Sequence, residues 1–531
     1  QGGGHGMSTN RTIIVMVEGR NAGGYVRRYY ATEDMVTPAA LVSAAGTFIQ
    51  GRVAAVAVQH LMYRSGGARG DVAVSTGYLE ITNADGALDA AIDIAYNGHA
   101  VSILEWFPVT GTFSSHKALE GGVIEQATFT NDKVTFQLRD KNFTRDKNNG
   151  GSLYGGTNAL PAGVDGTAND IKGQRKPTCD GICINITPVL VNTSKLIYQV
   201  DGQRGFATGW SLAVYDRRAA LTPGSDYTDQ ADMEATAPSA GEYRVWPAGG
   251  MFRIGAADPT QLLITCDVTN PVDTSAVPTS SVCAVAGVTR DLLSANPDCG
   301  YYSPGDYNQL AKISEVVRSV GGVYRYGYVP TYGGLDFYVS QLTDPADMPF
   351  TVYQQTLELD ETNILEIDRV VPNDEERGIP VARVNVHYAK NYTVMSPTDL
   401  AGVAQADQAY YSREYRTVTA SADPAETAKW ATQPEIDVYT LLVDQADAQD
   451  EADRLIEMYE IRRDVFSVKV PGEVARNIAE APSGSSIFRT DLQSVVQITY
   501  PRFGLEAGKL FRVLAVNEDV VQDTFTLTVW G

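Results

Sequence analysis

The chain has 531 residues, too many for one hydrophobic core, and a prior of roughly 150 residues per domain predicts three or four domains. Its hydrophobic fraction of 44% is ordinary for a globular protein, whereas 64 acidic against 42 basic side chains leave a formal charge of -22. That balance argues against a nucleic-acid binder, because phosphate neutralisation needs clustered Lys and Arg.

In chain order, residues 1–10 are Gly-rich and polar and read as a flexible tail, without the basic start and apolar run of a secretory signal. Residues 12–17 (TIIVMV) form a short β-branched run. The apolar run 53–58 is far too short to span a membrane, and no longer one occurs. At 128–138 (TFTNDKVTFQL) two β-rich runs flank Asn131-Asp132, which predicts a hairpin. The stretch 148–177 is rich in Gly, Asn and Asp and poor in apolar periodicity, and its length suggests a functional or interface loop. Residues 270–281 read as a Pro/Thr/Ser-rich connector.

A helix is expected near 306–320, where Leu310, Ile313, Val316, Val317 and Val320 share a face, Asp306 caps the start and Gly321-Gly322 stops it. A strand pair, 323–328 and 335–340, follows across Gly333-Gly334. Residues 382–388 (ARVNVHY) alternate with period two, placing Val384, Val386 and Tyr388 on one face. The polar stretch 394–420 reads as a long loop or extension. A second helix at about 444–460 would bury Ala448, Ala452, Leu455, Ile456 and Tyr459, with Arg462 and Arg463 suiting its C-terminal dipole. Three strand candidates close the chain at 495–500, 510–516 and 524–530, a meander completing a small barrel.

Signatures of catalysis are missing from the sequence. It has no G-x-S-x-G elbow, H-E-x-x-H motif, P-loop or dinucleotide fingerprint. His5, His60, His99, His116 and His387 are scattered without ligand spacing. Cys179, Cys183, Cys266, Cys283 and Cys299 match no C-x-x-C pattern, so ordinary buried thiols are favoured over a metal or iron–sulfur site. A Cys283–Cys299 disulfide is the third reading; it would close a loop of about 17 residues and add roughly 3 kcal/mol. We therefore expect no enzyme, no cofactor and no catalytic or metal residues.

Several segments carry a resemblance. Residues 154–177 (YGGTNALPAGVDGTANDIKGQRKP), 187–200 (TPVLVNTSKLIYQV), Tyr215-Asp216-Arg217 and 241–255 (GEYRVWPAGGMFRIG) are similar to parts of tail-tip proteins of long-tailed bacteriophages (siphophages). The end, 494–531, with TYPRFGL at 499–505 and TVWG at 528–531, continues the likeness. The resemblance implies a baseplate hub: a mainly β, multidomain chain with tube-like β-barrel domains and inserted β and small α+β domains. It implies a homotrimer in which two barrels per chain adapt the sixfold tail tube to a threefold tip. The expected organisation is a tail at 1–10, a first hub barrel at 11–150, an inserted β domain at 151–280, a small α+β domain at 281–345 and a second hub barrel with one helix at 346–531.

Implied partners are the distal tail protein, the tail tube and tip or fibre proteins, in a virion tail assembled in the host cytoplasm. Genome DNA would pass through the lumen without specific binding. The net charge of -22 adds the expectation of an acidic lumen that repels it. Two readings compete: a receptor-binding tail-tip protein, with Tyr324, Tyr326, Tyr328 and Tyr332 as candidate contacts, and a wall hydrolase built on paired carboxylates.

Overall fold

The structure, a computed structural model, describes residues 11–36, 48–61, 76–106, 117–139, 152–255, 262–271, 300–304, 322–329, 334–341, 344–346, 356–370, 380–432, 434–475 and 494–531. It is mainly β and built of several sheets. The largest has 13 strands and joins the beginning of the chain to its end. Thr12–Asn21 lies between Gly24–Ala31 and Ala100–Trp106, which pairs in turn with Lys117–Phe129. The path continues through Lys133–Arg139 and Thr76–Thr82 to Val53–Leu61.

There it crosses to the other end of the chain. Val53–Leu61 pairs antiparallel with Lys509–Asp519, and Thr524–Trp530, Val465–Pro471 and Glu366–Val370 follow. Among the described residues no sheet closes on itself, so the closed tube-like barrels expected from the resemblance are not seen. The physical reason is visible at the seam. The free edge of Val53–Leu61 is satisfied by Lys509–Asp519 from the last block instead of by a strand of its own block.

Strand alternation sets two cores under this sheet. Ile13, Val15, Val17, Val56, Val58, Leu79, Ile81, Val134 and Phe136 bury one face of the first block, and Val520 of the last block is buried among them. Phe466, Val468, Val496, Phe511, Val513, Phe525 and Leu527 fill the core of the last block. Burying one such side chain contributes about 1.5–3 kcal/mol, so the inward rows outweigh any surface ion pair. The hairpin expected at Asn131-Asp132 forms between Lys117–Phe129 and Lys133–Arg139. The C-terminal meander forms as Val495–Ile498, Lys509–Asp519 and Thr524–Trp530.

Between these blocks sit two five-stranded sheets. Thr178–Ile186 pairs with Ile264–Asn270 and Gly300–Ser303, and its Cys179, Cys183 and Ile186 pack against Tyr243, Phe252 and Ile254 of the facing sheet. Most of the long irregular stretch is described, and it folds back onto this unit. Tyr154, almost wholly buried, donates its hydroxyl to Gln199 Oε1 at 2.6 Å. Asp165 accepts from the Gly155 N–H at 2.8 Å and pairs with Lys176 at 3.1 Å.

A smaller unit packs the helix Gln445–Tyr459 on the sheet made by Arg383–Tyr388, Arg416–Ser421 and Glu435–Tyr439. Asp444 caps the helix by accepting from the Ala446 N–H at 2.7 Å, a contact worth about 1 kcal/mol. The expected stripe of Ala448, Ala452, Leu455, Ile456 and Tyr459 is buried, and Arg463 donates to the Met458 carbonyl at 3.1 Å. The stretch 394–420 is a correction. It holds the 3₁₀ turns Pro397–Asp399 and Gly402–Asp407, the helical turn Gln408–Tyr411 and most of the strand Arg416–Ser421, where a loop was expected. The strand's alternation is carried only by Val418 and Ala420, with polar residues between them.

The hairpin of Gly322–Val329 and Gly334–Gln341 is present and contains Tyr324, Tyr326 and Tyr328, while Tyr332 and the helix expected at 306–320 lie outside the described residues.

Candidate functional site: the polar face of the shared sheet

Alternation that buries one face of the large sheet turns the other outward. Val56 and Val58 point into the core, so Ala57 and Gln59 point away from it. On the neighbouring strand Leu79 and Ile81 are buried, and Tyr78 and Glu80 face outward with Gln137 beyond them. Cross-strand register then carries this face over the seam. One row runs Gln126, Gln137, Tyr78, Ala57, Asp519 and Thr524. The next runs Gln59, Asn517, Thr526, Lys469 and Glu366.

The seam itself is recessed. Ala57 and Gly77 are small, and with Gln59, Tyr78, Asn517 and Asp519 they line a depression of about 400 Å³. Gly77 is required by close approach, since an added Cβ would meet the Ala57 carbonyl oxygen at 2.5 Å. Amides and hydroxyls dominate this surface. Its charges are of both signs, and Lys133 pairs with Glu80 at 2.7 Å and Arg139 with Glu125 at 3.2 Å. Burying the polar ends of Gln and Asn would cost desolvation, so the face is suited to remaining wet.

This face carries charges of both signs and is close to neutral, although the chain as a whole is acidic. Exposed carboxylates are found elsewhere, for example Asp450, Asp453 and Glu457 on the helix Gln445–Tyr459. Composition reports total charge and not its placement, which alternation and register decide.

The residues weighed for chemistry are not brought together here. Cys179, Cys183 and Cys266 are free and wholly buried in the inserted unit, where burial pushes the Cys179 and Cys266 thiols well above their ordinary range. Such thiols do not supply a thiolate near neutral pH. Cys283 and Cys299 lie outside the described residues. His99 packs edge-on against Tyr25, and His387 lies on Arg383–Tyr388 in a different sheet. His5 and His116 lie outside the described residues, as does the side chain of His60. Among the described residues no group of three or more His, Cys, Asp or Glu side chains could hold a metal ion, and no helix is long and apolar enough to cross a membrane.

What sequence reasoning missed is the seam. Its signal was present in 53–61 (VAAVAVQHL), where small residues alternate with valines, but nothing local names the partner strand.

No protein-family model matches the chain, and no curated protein matches it. Among solved structures it is similar to a tail protein from Neisseria meningitidis MC58, at 10% identity over 98% of this chain and 97% of that one, with a TM-score of 0.38. A 43 kDa tail protein of prophage MuSo2 from Shewanella oneidensis aligns at 10% identity, covering 97% and 98% of the two chains, with a TM-score of 0.33. Prophage tail protein gp18 from Listeria monocytogenes EGD-e aligns at 9% identity over 97% and 94%, also with a TM-score of 0.33.

Proposed function

We propose that this chain is a structural subunit of a phage tail, a baseplate hub that assembles as a homotrimer around a channel. One observation carries the reading: strands from the two ends of the chain share a sheet through Val53–Leu61 and Lys509–Asp519, with a polar face continuous across the join. A hub needs two adjoining β blocks per chain, so that three chains present six blocks to a sixfold tube.

The edges of the polar-faced region support the same reading. Residues 117–123 of Lys117–Phe129 pair with Ala100–Trp106, whereas 123–129 pair with Lys133–Arg139. Beyond residue 125 that side of the strand has no backbone partner among the described residues, and the sheet's terminal strands there are Gly24–Ala31 and Glu366–Val370. A sheet with two open edges is completed by further copies of itself, and head-to-tail contacts of this kind make rings when the rotation closes. The polar face would then line the lumen, joined above and below by the distal tail protein, tube and tip proteins.

A near-neutral lining of amides and hydroxyls offers no cluster of cations to hold phosphates, so genome DNA would pass without specific binding. The role is structural, with no reaction of its own. Native mass spectrometry of the purified chain tests it. A dominant species of three chains is expected, and a chain that stays monomeric at micromolar concentration would contradict it.

A further inference from the structure

A second surface, outside the shared sheet, has the makings of a ligand site. In the three-stranded sheet, Val384, Val386, Val418 and Val438 bury one face against the helix Gln445–Tyr459. The opposite face carries a different set of side chains. Glu435–Tyr439 is an edge strand, and its exposed positions are Glu435, Asp437 and Tyr439, each two residues from the next. Positions two apart on a strand lie roughly 7 Å from each other on one side, which lines up two carboxylates and an aromatic ring.

The ring is held in place. Tyr439 is 60% exposed, yet His387 stacks on it with centroids 4.4 Å apart and planes at 14°. Tyr415 meets it edge-on at 5.4 Å. His387 is fixed in turn, because its Nδ1 lies 2.9 Å from the Thr417 hydroxyl and its Nε2 3.1 Å from Asp437 Oδ1. Asn385 Nδ2 donates to the same Asp437 Oδ1 at 3.2 Å. Both contacts fall on one oxygen of a side chain that is 57% exposed, so the other is placed for an incoming donor. Because the stacking partner lies on the inner neighbour strand, the free face of the Tyr439 ring looks toward the sheet edge.

We infer that Tyr439 and Asp437 form a binding site for a saccharide. The C–H face of a sugar ring packs on an aromatic face, and the second Asp437 carboxylate oxygen can accept a hydrogen bond from a sugar hydroxyl. Both are laid out here on one edge with little to reorganise on binding. Arg383 pairs with Glu435 at 3.0 Å, so the carboxylate left to meet a ligand is that of Asp437, which suits the hydroxyls of neutral or amino sugars. This site stands apart from the hub reading and needs no particular oligomer.

The test is calorimetric titration of the full-length chain with tetrasaccharides of glucose, galactose and N-acetylglucosamine, up to about 10 mM, where even weak affinity registers. At least one should bind. Tyr439→Ala and Asp437→Asn should each weaken that binding about tenfold or more, while Tyr439→Phe keeps the stacking face and should stay within about twofold. Tyr25→Ala removes another exposed tyrosine from a different sheet and should change nothing. The inference is overturned if none of the three binds, or if binding survives Tyr439→Ala unchanged. Oligomeric mass, recorded on the same samples, reports the hub reading separately.

Discussion

Arg11 donates to the carbonyl oxygen of Val520, 509 positions further along the chain, and the same guanidinium pairs with Glu105. The Arg11 side chain is 7% exposed and that of Glu105 3%, so the pair lies at the buried join of the two ends. Removing the cation should therefore cost more than losing a surface ion pair. Arg11→Ala is expected to destabilise the chain by about 3 kcal/mol. Urea unfolding should show it, and limited proteolysis should begin to separate the first block from the last. A change below about 1 kcal/mol would place this contact with ordinary surface pairs.

The recess at the seam gives a second expectation. Valine is normally welcome in a strand, but at Gly77 its Cβ would meet the Ala57 carbonyl. Gly77→Val should cost about 2–3 kcal/mol and loosen the pairing of Thr76–Thr82 with Val53–Leu61. Thr82→Val, on the exposed face of the same strand, is the control and should stay within about 0.5 kcal/mol. Amide hydrogen exchange in the two strands would locate the damage.

A buried amide pair fastens the inserted unit to the small α/β unit. Asn185 Nδ2 donates to Asn391 Oδ1 at 2.8 Å and to the Thr393 carbonyl at 2.7 Å. Asn391 Nδ2 reaches the carbonyls of Tyr411 and Arg413 at 3.0 and 2.9 Å. Asn391→Ala removes these partners together and should cost about 2–4 kcal/mol, measured as a lowered melting temperature. Asn391→Asp keeps the acceptor but loses both donated bonds, so it should recover only part of that loss.

Asp201 provides a pH signature. Burial pushes its carboxyl up to about 6, against the hydrogen bonds it accepts from the N–H groups of Arg204 and Gln203. With an unfolded value near 3.8, the native state keeps this proton while the unfolded state releases it. The contribution of Asp201 is therefore greatest below 3.8 and falls as pH rises through about 6, by about 3 kcal/mol in all. Asp201→Asn has no such falling arm. Thermal melts should show wild type exceeding the variant by more at pH 4 than at pH 7, and the opposite ordering would refute the assignment.

Local signals were legible in the sequence and long-range ones were not. Arg383–Tyr388 announced itself by alternation, the hairpin by Asn131-Asp132, and the helix Gln445–Tyr459 by its stripe and the Asp444 cap. Each is decided within about a dozen residues. The pairing of Val53–Leu61 with Lys509–Asp519 is decided by which edges remain free after both blocks have formed, and no local pattern encodes it. The polar face was missed for the same reason, since Gln59 and Asn517 become neighbours only once the register is known. The Tyr439 platform was hidden because His387, Tyr415 and Tyr439 come from three separated segments and meet only across the sheet.

The central claim, that copies join along the open edges to enclose the polar face, is tested most directly by cross-linking. Thr128→Cys and Asp368→Cys place one thiol on the half-paired end of Lys117–Phe129 and one on the terminal strand Glu366–Val370, both at exposed positions. On mild oxidation the double variant should give intermolecular disulfides in a ladder that stops at three chains, and neither single variant should pass two. A double variant that yields no intermolecular product, or a ladder that runs on without stopping at three, would contradict the account.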